Sequence, residues 1–361
     1  MNSYRMVELG TLIHQAKAVR CGDNNYPVLS MTMHDGLVFQ EEKFNKVIAS
    51  KDHSDYKVVY RNQLVISFPI DEGVLAAQRI TDAGIVSPAY GIWDIDETKI
   101  LPEFLEYSLR CRRALSYYKA KLRGSTARRR SLPTPTLLAF TIPLPAIEEQ
   151  INILNIIHRA NKLCLLRQKE LQTLDNLIKA RFVEMFGLPV SNIKRWPTEP
   201  MEDVAPSVNY NGKFDKKVWL LNLDMVEAQT GRILDYLTVT EDEVGNSTCT
   251  FDTSNVLYSK LRPYLNKVVI PDRCGYATSE LVPLQPVKTK INREYLAFML
   301  RSDEFVNMIN EKVAGAKMPR VSMGDFRKFL VPVPPIELQN QFADFVKQLD
   351  KSKLLKQTRR N

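Results

Sequence analysis

The chain repeats itself, and that repeat constrains its architecture more than any single motif does. KILPEFLEYSLR (residues 99–110) returns as KINREYLAFMLR (residues 290–301) at a shift of 191 positions, with Lys99, Ile100, Glu103, Leu105, Leu109 and Arg110 meeting identical residues. At the same shift GSTARRRS (residues 124–131) meets GAKMPRVS (residues 315–322). After a two-residue slip, FTIPLPAIEEQ (residues 140–150) meets FLVPVPPIELQ (residues 329–339) at a shift of 189. Upstream the match thins to NQLVIS (residues 62–67) against NVLYSK (residues 255–260), and the first part of each copy is essentially unrelated. A scaffold keeps its packing positions, whereas a surface that meets different targets is free to change at nearly every contact. The pattern therefore reads as two unlike recognition surfaces on one duplicated frame.

Composition narrows the class of target. A formal net charge of +9 and a pI near 9.2 favour a polyanion, although a basic pI alone also suits a membrane surface. Five scattered cysteines (Cys21, Cys111, Cys164, Cys249, Cys274) include no C-x-x-C pair, which fits reduced thiols and a cytoplasmic setting. Residues 1–10 hold no apolar signal region, and apolar runs such as residues 64–70 fall far short of a membrane span.

After each repeated P-x-P the pattern turns helical. From Ile147 to Phe186 there is neither Gly nor Pro; Glu148 and Glu149 suit the positive end of the helix dipole, and Gly187 with Pro189 stops the run. Ile157, Cys164, Leu171, Ile178 and Met185 recur every seven residues with Leu174 and Phe182 beside them, a coiled-coil seam interrupted at residues 167–170. Such a helix spans about 60 Å, too long for one small domain, and so reads as a spacer. A second helix starts at Ile336, carries Phe342, Phe345, Val346 and Leu349, and ends in a basic tail. Chain order makes the two helices antiparallel and relates the flanking domains by an approximate two-fold axis, as in dimeric readers of DNA half-sites. The expected fold is α+β, with two globular α/β domains in tandem (residues 1–145 and 188–334), a central helix (residues 146–187) and a short distal helix (residues 335–361).

This order resembles the specificity subunits of type I restriction-modification systems, most specifically through IPLPAIEEQ (residues 142–150), KELQTLDNLIKARFVEMFG (residues 169–187) and VLYSKLRPYLNKVVI (residues 256–270). The resemblance implies two target recognition domains that bind double-stranded DNA and helices that dock two modification methyltransferase subunits. In the full nuclease two restriction motor subunits join them. S-adenosylmethionine, ATP and magnesium then serve those partners, and this chain holds no cofactor or metal of its own. One departure concerns the distal helix, about 26 residues against about 40, which at 1.5 Å per residue cannot return the whole distance. That leaves open either altered docking of one modification subunit or a homodimer.

Candidate DNA contacts follow from charge. Residues 110–130 hold nine basic residues and no acid. Within them Arg113, Lys121, Gly124, Ser125, Thr126, Arg128, Arg129 and Arg130 combine cations with small residues that bare backbone N–H groups, a chemistry suited to phosphate oxygens. The counterpart loop keeps Gly315, Lys317, Arg320 and Ser322. SKLRPYLNK adds Lys260, Arg262, Tyr264 and Lys267 on a basic-aromatic stretch, where the first domain has apolar ISFPI. Unlike surfaces predict an asymmetric, bipartite target.

Catalytic signatures are missing. There is no Asn/Asp-Pro-Pro-Tyr/Phe tetrapeptide, no G-x-G-x-x-G and no Walker A loop. Pro271-Asp272 is followed by Glu280-Leu281-Val282 without the lysine a magnesium-dependent nuclease would use, and Asp94, Asp96 and Glu97-Thr98-Lys99 fit a polar turn better. The four histidines show no metal-ligand spacing. A non-catalytic DNA reader is the reading, against a self-sufficient nuclease or a coiled-coil interaction protein without DNA.

Overall fold

In the computed structural model, which describes residues 4–43, 53–122, 132–214, 216–314 and 318–357, the chain divides into two units, Met1–Leu165 and Leu166–Asn361. Both combine small sheets with helices, an α+β arrangement. The division falls within the long helix Ile147–Phe186.

The first unit is zipped at its two ends. Strand Met6–Glu8 pairs antiparallel with Thr141–Pro143, with Val7 opposite Ile142, and Leu9 N–H donates to the Phe140 carbonyl at 2.8 Å. Between them a four-stranded sheet runs in the order Ile13–Gln15, Gly91–Ile95, Leu64–Ile66, Leu75–Ala77, every neighbour antiparallel. Helix Pro102–Arg110 begins with proline, which loses no hydrogen bond there, followed by Glu103 in the first turn, and has Arg110 in the last. Its buried Phe104, Leu105 and Leu109 recur at helical spacing and meet Leu64, Leu75 and Trp93 in one core with Tyr118 of helix Arg112–Lys121.

The second unit repeats the closure. Strand Thr198–Pro200 pairs antiparallel with Leu330–Pro332, Glu199 faces Val331, and Met201 N–H donates to the Phe329 carbonyl at 2.8 Å. The beginnings of the two copies, unrelated by sequence, are thus equivalent in backbone. Ladder bonds use main-chain groups, so the side chains were free to diverge. The interiors differ. Here a four-stranded sheet orders Leu237–Thr240, Lys217–Leu221, Gly275–Thr278 and Thr248–Phe251, with the central pair parallel, beside a three-stranded sheet of Val268–Val269, Val256–Ser259 and Leu281–Leu284. Helices Arg293–Arg301 and Asp303–Asn310 are N-capped by the side chains of Asn292 and Ser302.

The distal helix Ile336–Gln357 packs within this unit on the end of the long helix. Phe342 lies 5.4 Å from Phe182, 5.6 Å from Phe186 and 5.2 Å from Phe298, mostly edge to face. Farther along both helices, burial lowers the pKa of Arg301 to about 10 while the nearby charges of Asp350 and Asp175 act against that shift. Residue numbers fall along one helix as they rise along the other, so these segments run antiparallel. Gly187, at φ +77°, ends the long helix in a left-handed conformation that a side chain would strain, its N–H still reaching the Val183 carbonyl at 2.8 Å. Among the described residues no helix is long and apolar enough to cross a membrane.

Candidate nucleic-acid interface

The repeated P-x-P-x-x-E-x-Q segment is a structural clamp. Gln150 is fully buried; its Nε2 donates to the carbonyls of Lys99 (2.9 Å) and Pro145 (3.0 Å), while Leu101 N–H donates to its Oε1 (2.9 Å). Each end of the amide is satisfied, as burial of a polar group requires. The clamp fixes the first turn of the long helix against the segment that launches helix Pro102–Arg110. In the second unit Gln339 does the same with Lys290, Pro334 and the N–H of Asn292.

On this frame sits a 3-10 turn at the same place in both units, entered through Pro69 at φ −80° in the first and through Arg262 at φ +50° in the second. In the first unit strand Leu64–Ile66 leads into residues 68–72, a 3-10 turn at Ile70–Glu72, and Gly73 at φ +77°. In the second, strand Val256–Ser259 leads into residues 261–265, a 3-10 turn at Pro263–Leu265, and Asn266 at φ +49°. Each turn is seated on its helix pair. A side chain on Gly73 would touch Arg110 and Leu115, and Asn266 Nδ2 donates to the Arg301 carbonyl at 2.9 Å. The second turn is also bound on two flanks. Arg262 N–H donates to the Pro319 carbonyl (2.8 Å), and Gln229 donates from its backbone to Leu265 (3.0 Å) and from its side chain to Tyr264 (3.0 Å). Two stretches read separately from the sequence, residues 260–267 and 318–322, are thereby adjacent: Leu261 bridges Arg320, and Val321 N–H reaches the Lys260 carbonyl at 2.9 Å.

The individual cations divide into engaged and available. Arg113 lies 4.6 Å over the Phe140 ring and donates to the Thr141 carbonyl, so its guanidinium braces the first unit. Lys267 Nζ donates to the Leu223 carbonyl at 2.6 Å, and burial lowers its pKa against the opposing charge of Asp224. Arg320 makes a two-point pair with Glu280 (2.8 and 3.3 Å), whose hydrogen bond raises its pKa. Ser322 caps helix Met323–Lys328 through Asp325 N–H. These four have structural work that spacing did not reveal. Lys121 is exposed at the end of its helix, and Lys260 is half-buried. Arg262 and Tyr264 are exposed, and Arg262 holds φ +50°, a left-handed conformation that costs a non-glycine residue about 1 kcal/mol. Among the described residues its guanidinium has no carboxylate within ion-pair distance. Gly124, Ser125, Thr126, Arg128, Arg129, Arg130, Gly315 and Lys317 lie outside the described residues.

The helix seam is buried only toward its end. Ile178, Phe182, Met185 and Phe342 are buried, Leu171, Leu174, Phe345, Leu349 and Ile157 are half-buried, and Cys164 is exposed. A neighbouring stripe of Ile156 (66% exposed), Leu163 (66%) and Leu166 (54%) remains accessible. The heptad count centred on Ile157 and Cys164 missed it by one position.

The carboxylates considered for a nuclease centre are engaged locally. Asp272 accepts from Arg273 and Tyr236, Glu280 pairs with Arg320, Asp94 accepts from Gln63 at 2.7 Å, and Asp96 is held by Thr98 and Lys99. Among the described residues no group of three or more His, Cys, Asp or Glu could hold a metal ion.

The match to known proteins agrees with this frame. Residues 204–361 match the family described as type I restriction modification DNA specificity domain. That match lies within the second unit, and there the chain is similar to the family's DNA specificity domain. The type I restriction enzyme EcoDI specificity subunit of Escherichia coli is 29% identical over 124 residues, 34% of this chain and 27% of that protein. The chain thus spans about a quarter of the length of the curated relative it matches. A chain from a type I R-M system, solved to describe complex assembly and conformational transition, superposes with a TM-score of 0.57 at 15% identity, covering 98% of this chain and 92% of that one. The S subunit from M. genitalium superposes at 0.51 with 13% identity, covering 99% and 93%. These likenesses show a fold shared with those two chains.

Proposed function

We propose that this chain is the DNA-recognition subunit of a type I restriction-modification complex, itself without catalytic chemistry, and that it reads a bipartite, asymmetric target in the cytoplasm. The observation that carries the reading is one clamped frame used twice, with the same end-to-end strand pairing and buried glutamine, around unlike interior sheets. Identical frames hold two heads in fixed relation to their helices, and unlike heads read unlike half-sites. The basic loop at residues 124–130 supplies phosphate contacts in this reading, which position the protein without specifying sequence.

Modification subunits dock on the long helix, where Ile156, Leu163 and Leu166 offer an apolar stripe. Restriction subunits join through them and bring ATP and magnesium, while the modification subunits bring S-adenosylmethionine. Sequencing methylated bases in DNA from cells that express this chain with a modification subunit tests the reading. Two short unlike motifs with a fixed gap are expected; a continuous motif, or methylation indifferent to this chain, overturns it.

A further inference from the structure

The two units build the same surface from their repeated helices, and the first leaves open what the second fills with its own residues. The repeat makes Phe104, Tyr107, Ile153, Ile156 and Ile157 the counterparts of Tyr295, Phe298, Phe342, Phe345 and Val346. The clamps share this register, since Gln150 binds Lys99 and Leu101 where Gln339 binds Lys290 and Asn292. In the second unit the segment Ile178–Phe186 lies over the surface. Phe182 stands 5.5 Å from Tyr295 and 5.4 Å from Phe342, and Phe186 stands 4.7 Å from Tyr295. Beneath those rings Tyr295, Phe342 and Val346 are buried. In the first unit Tyr107 is 36% and Ile156 66% exposed, and Ile153 and Ile157 are only half-buried. Leu163, two turns beyond Ile156, extends the open stripe. Tyr107 is held in position, its hydroxyl receiving Asn161 Nδ2 at 3.3 Å.

Charge beside the stripe selects its occupant. Residues 150–165 carry Arg159 and Lys162, both exposed, and no Asp or Glu. Among the described residues neither cation has a carboxylate within ion-pair distance. Glu103, on the helix that carries Tyr107, is already engaged by His158 at 2.8 Å and Arg79 at 2.9 Å. A two-fold contact is self-complementary, so a second copy turning this face inward would set Arg159 and Lys162 against their own equivalents. Like charges repel there, whereas an acidic flank pairs with them.

We propose that Tyr107, Ile153, Ile156 and Leu163 seat one amphipathic helix of a partner protein, apolar toward Ile156 and carrying Asp or Glu beside Arg159 and Lys162. That helix takes the place that Ile178–Phe186 takes in the second unit. The proposal rests on the docking of modification subunits given above and deepens it, making the helix part of such a subunit. Because the second unit fills the matching place with its own residues, each chain takes one helix there.

The test measures association of the full 361-residue chain with a co-expressed modification subunit, for the wild type, I156D and the doubly reversed R159E/K162E. All three side chains are exposed, so the unfolding midpoints are expected to stay in place. I156D is expected to associate roughly 10- to 100-fold more weakly. R159E/K162E is expected to associate more weakly too and to lose the dependence on salt that exposed charge pairs confer. The seat is refuted if I156D associates as the wild type does, or if R159E/K162E keeps the wild-type salt dependence. It is refuted equally if the chain alone sediments as a dimer that I156D dissolves, which makes a second copy the occupant. Sequencing of methylated bases separates this failure from that of the DNA-recognition reading. A bipartite motif written by an I156D complex of undiminished affinity sinks the seat alone, whereas assembly through Ile156 with methylation indifferent to this chain sinks the reading of DNA.

Discussion

Gln150 and Gln339 make the same three hydrogen bonds in two different units, each fully buried, each donating from Nε2 to a lysine and a proline carbonyl and accepting one N–H at Oε1. The correspondence explains why the glutamine survives in both copies while so much around it changed. A buried amide that donates twice and accepts once tolerates neither a shorter nor a charged replacement.

Replacing either glutamine by alanine leaves one N–H and two carbonyls without partners and is expected to cost about 3 kcal/mol. Denaturant unfolding checks the magnitude. Hydrogen exchange checks the place, since the Leu101 amide should lose protection in Gln150→Ala and the Asn292 amide in Gln339→Ala. Unchanged exchange at those amides would contradict the clamp.

The aromatic cluster joining the two helices makes a second prediction. Phe342 is fully buried among Phe182, Phe186 and Phe298, so Phe342→Ala is expected to destabilise the second unit by about 3 to 5 kcal/mol through reduced burial and the cavity left behind. Because none of these rings belongs to the first unit, calorimetry of the variant should show one transition moved down and another in place. A single transition shifted as a whole would mean that the units unfold together.

Acid stability offers a third. Asp272 has its pKa lowered from 3.8: burial acts to raise it, and hydrogen bonds from Arg273 and Tyr236 with the Arg273 charge more than offset that. A carboxyl whose folded pKa lies below its unfolded one contributes stability that is complete above the unfolded value and is lost as pH falls through the folded value. Asp272→Asn should therefore lower stability at neutral pH and flatten its decline below about pH 4. Parallel acid profiles for the variant and the parent would remove Asp272 from that role.

The fourth prediction concerns the basic loop. Changing Arg128, Arg129 and Arg130 together to alanine should flatten the salt dependence of DNA binding by about 0.9 in slope for each phosphate that the loop no longer neutralises, with site preference intact. Affinity measured against salt concentration decides it, and an unchanged slope would place the loop away from DNA.

Much of the architecture could be read from residue order. The glycine- and proline-free run, with Gly187 behind it, marked the long helix, because a helix declares itself by what it excludes. Recognition residues were harder to sort. Arg113, Lys267 and Arg320 were expected at DNA from charge alone, and spacing could not show their partners within the chain, the Phe140 ring, the Leu223 carbonyl and Glu280, which come from distant segments. The turn at residues 68–72 carried no basic signal. Its correspondence to residues 261–265 rests on the order of strand, 3-10 turn and left-handed residue, which ISFPI and SKLRP do not share as letters.

By itself the sequence determined the duplication, the two helices and the positions of the clamps, since each depends on local periodicity or on residues that had to stay the same. Only the tertiary structure decided which cations are engaged, that the unrelated beginnings of the two units are equivalent strands, and that a 3-10 turn follows the corresponding strand in both. Main-chain hydrogen bonds hold the strands and turns across long stretches of chain, and side-chain contacts between distant segments hold the cations. Main-chain bonds leave no mark in the identity of the side chains they join.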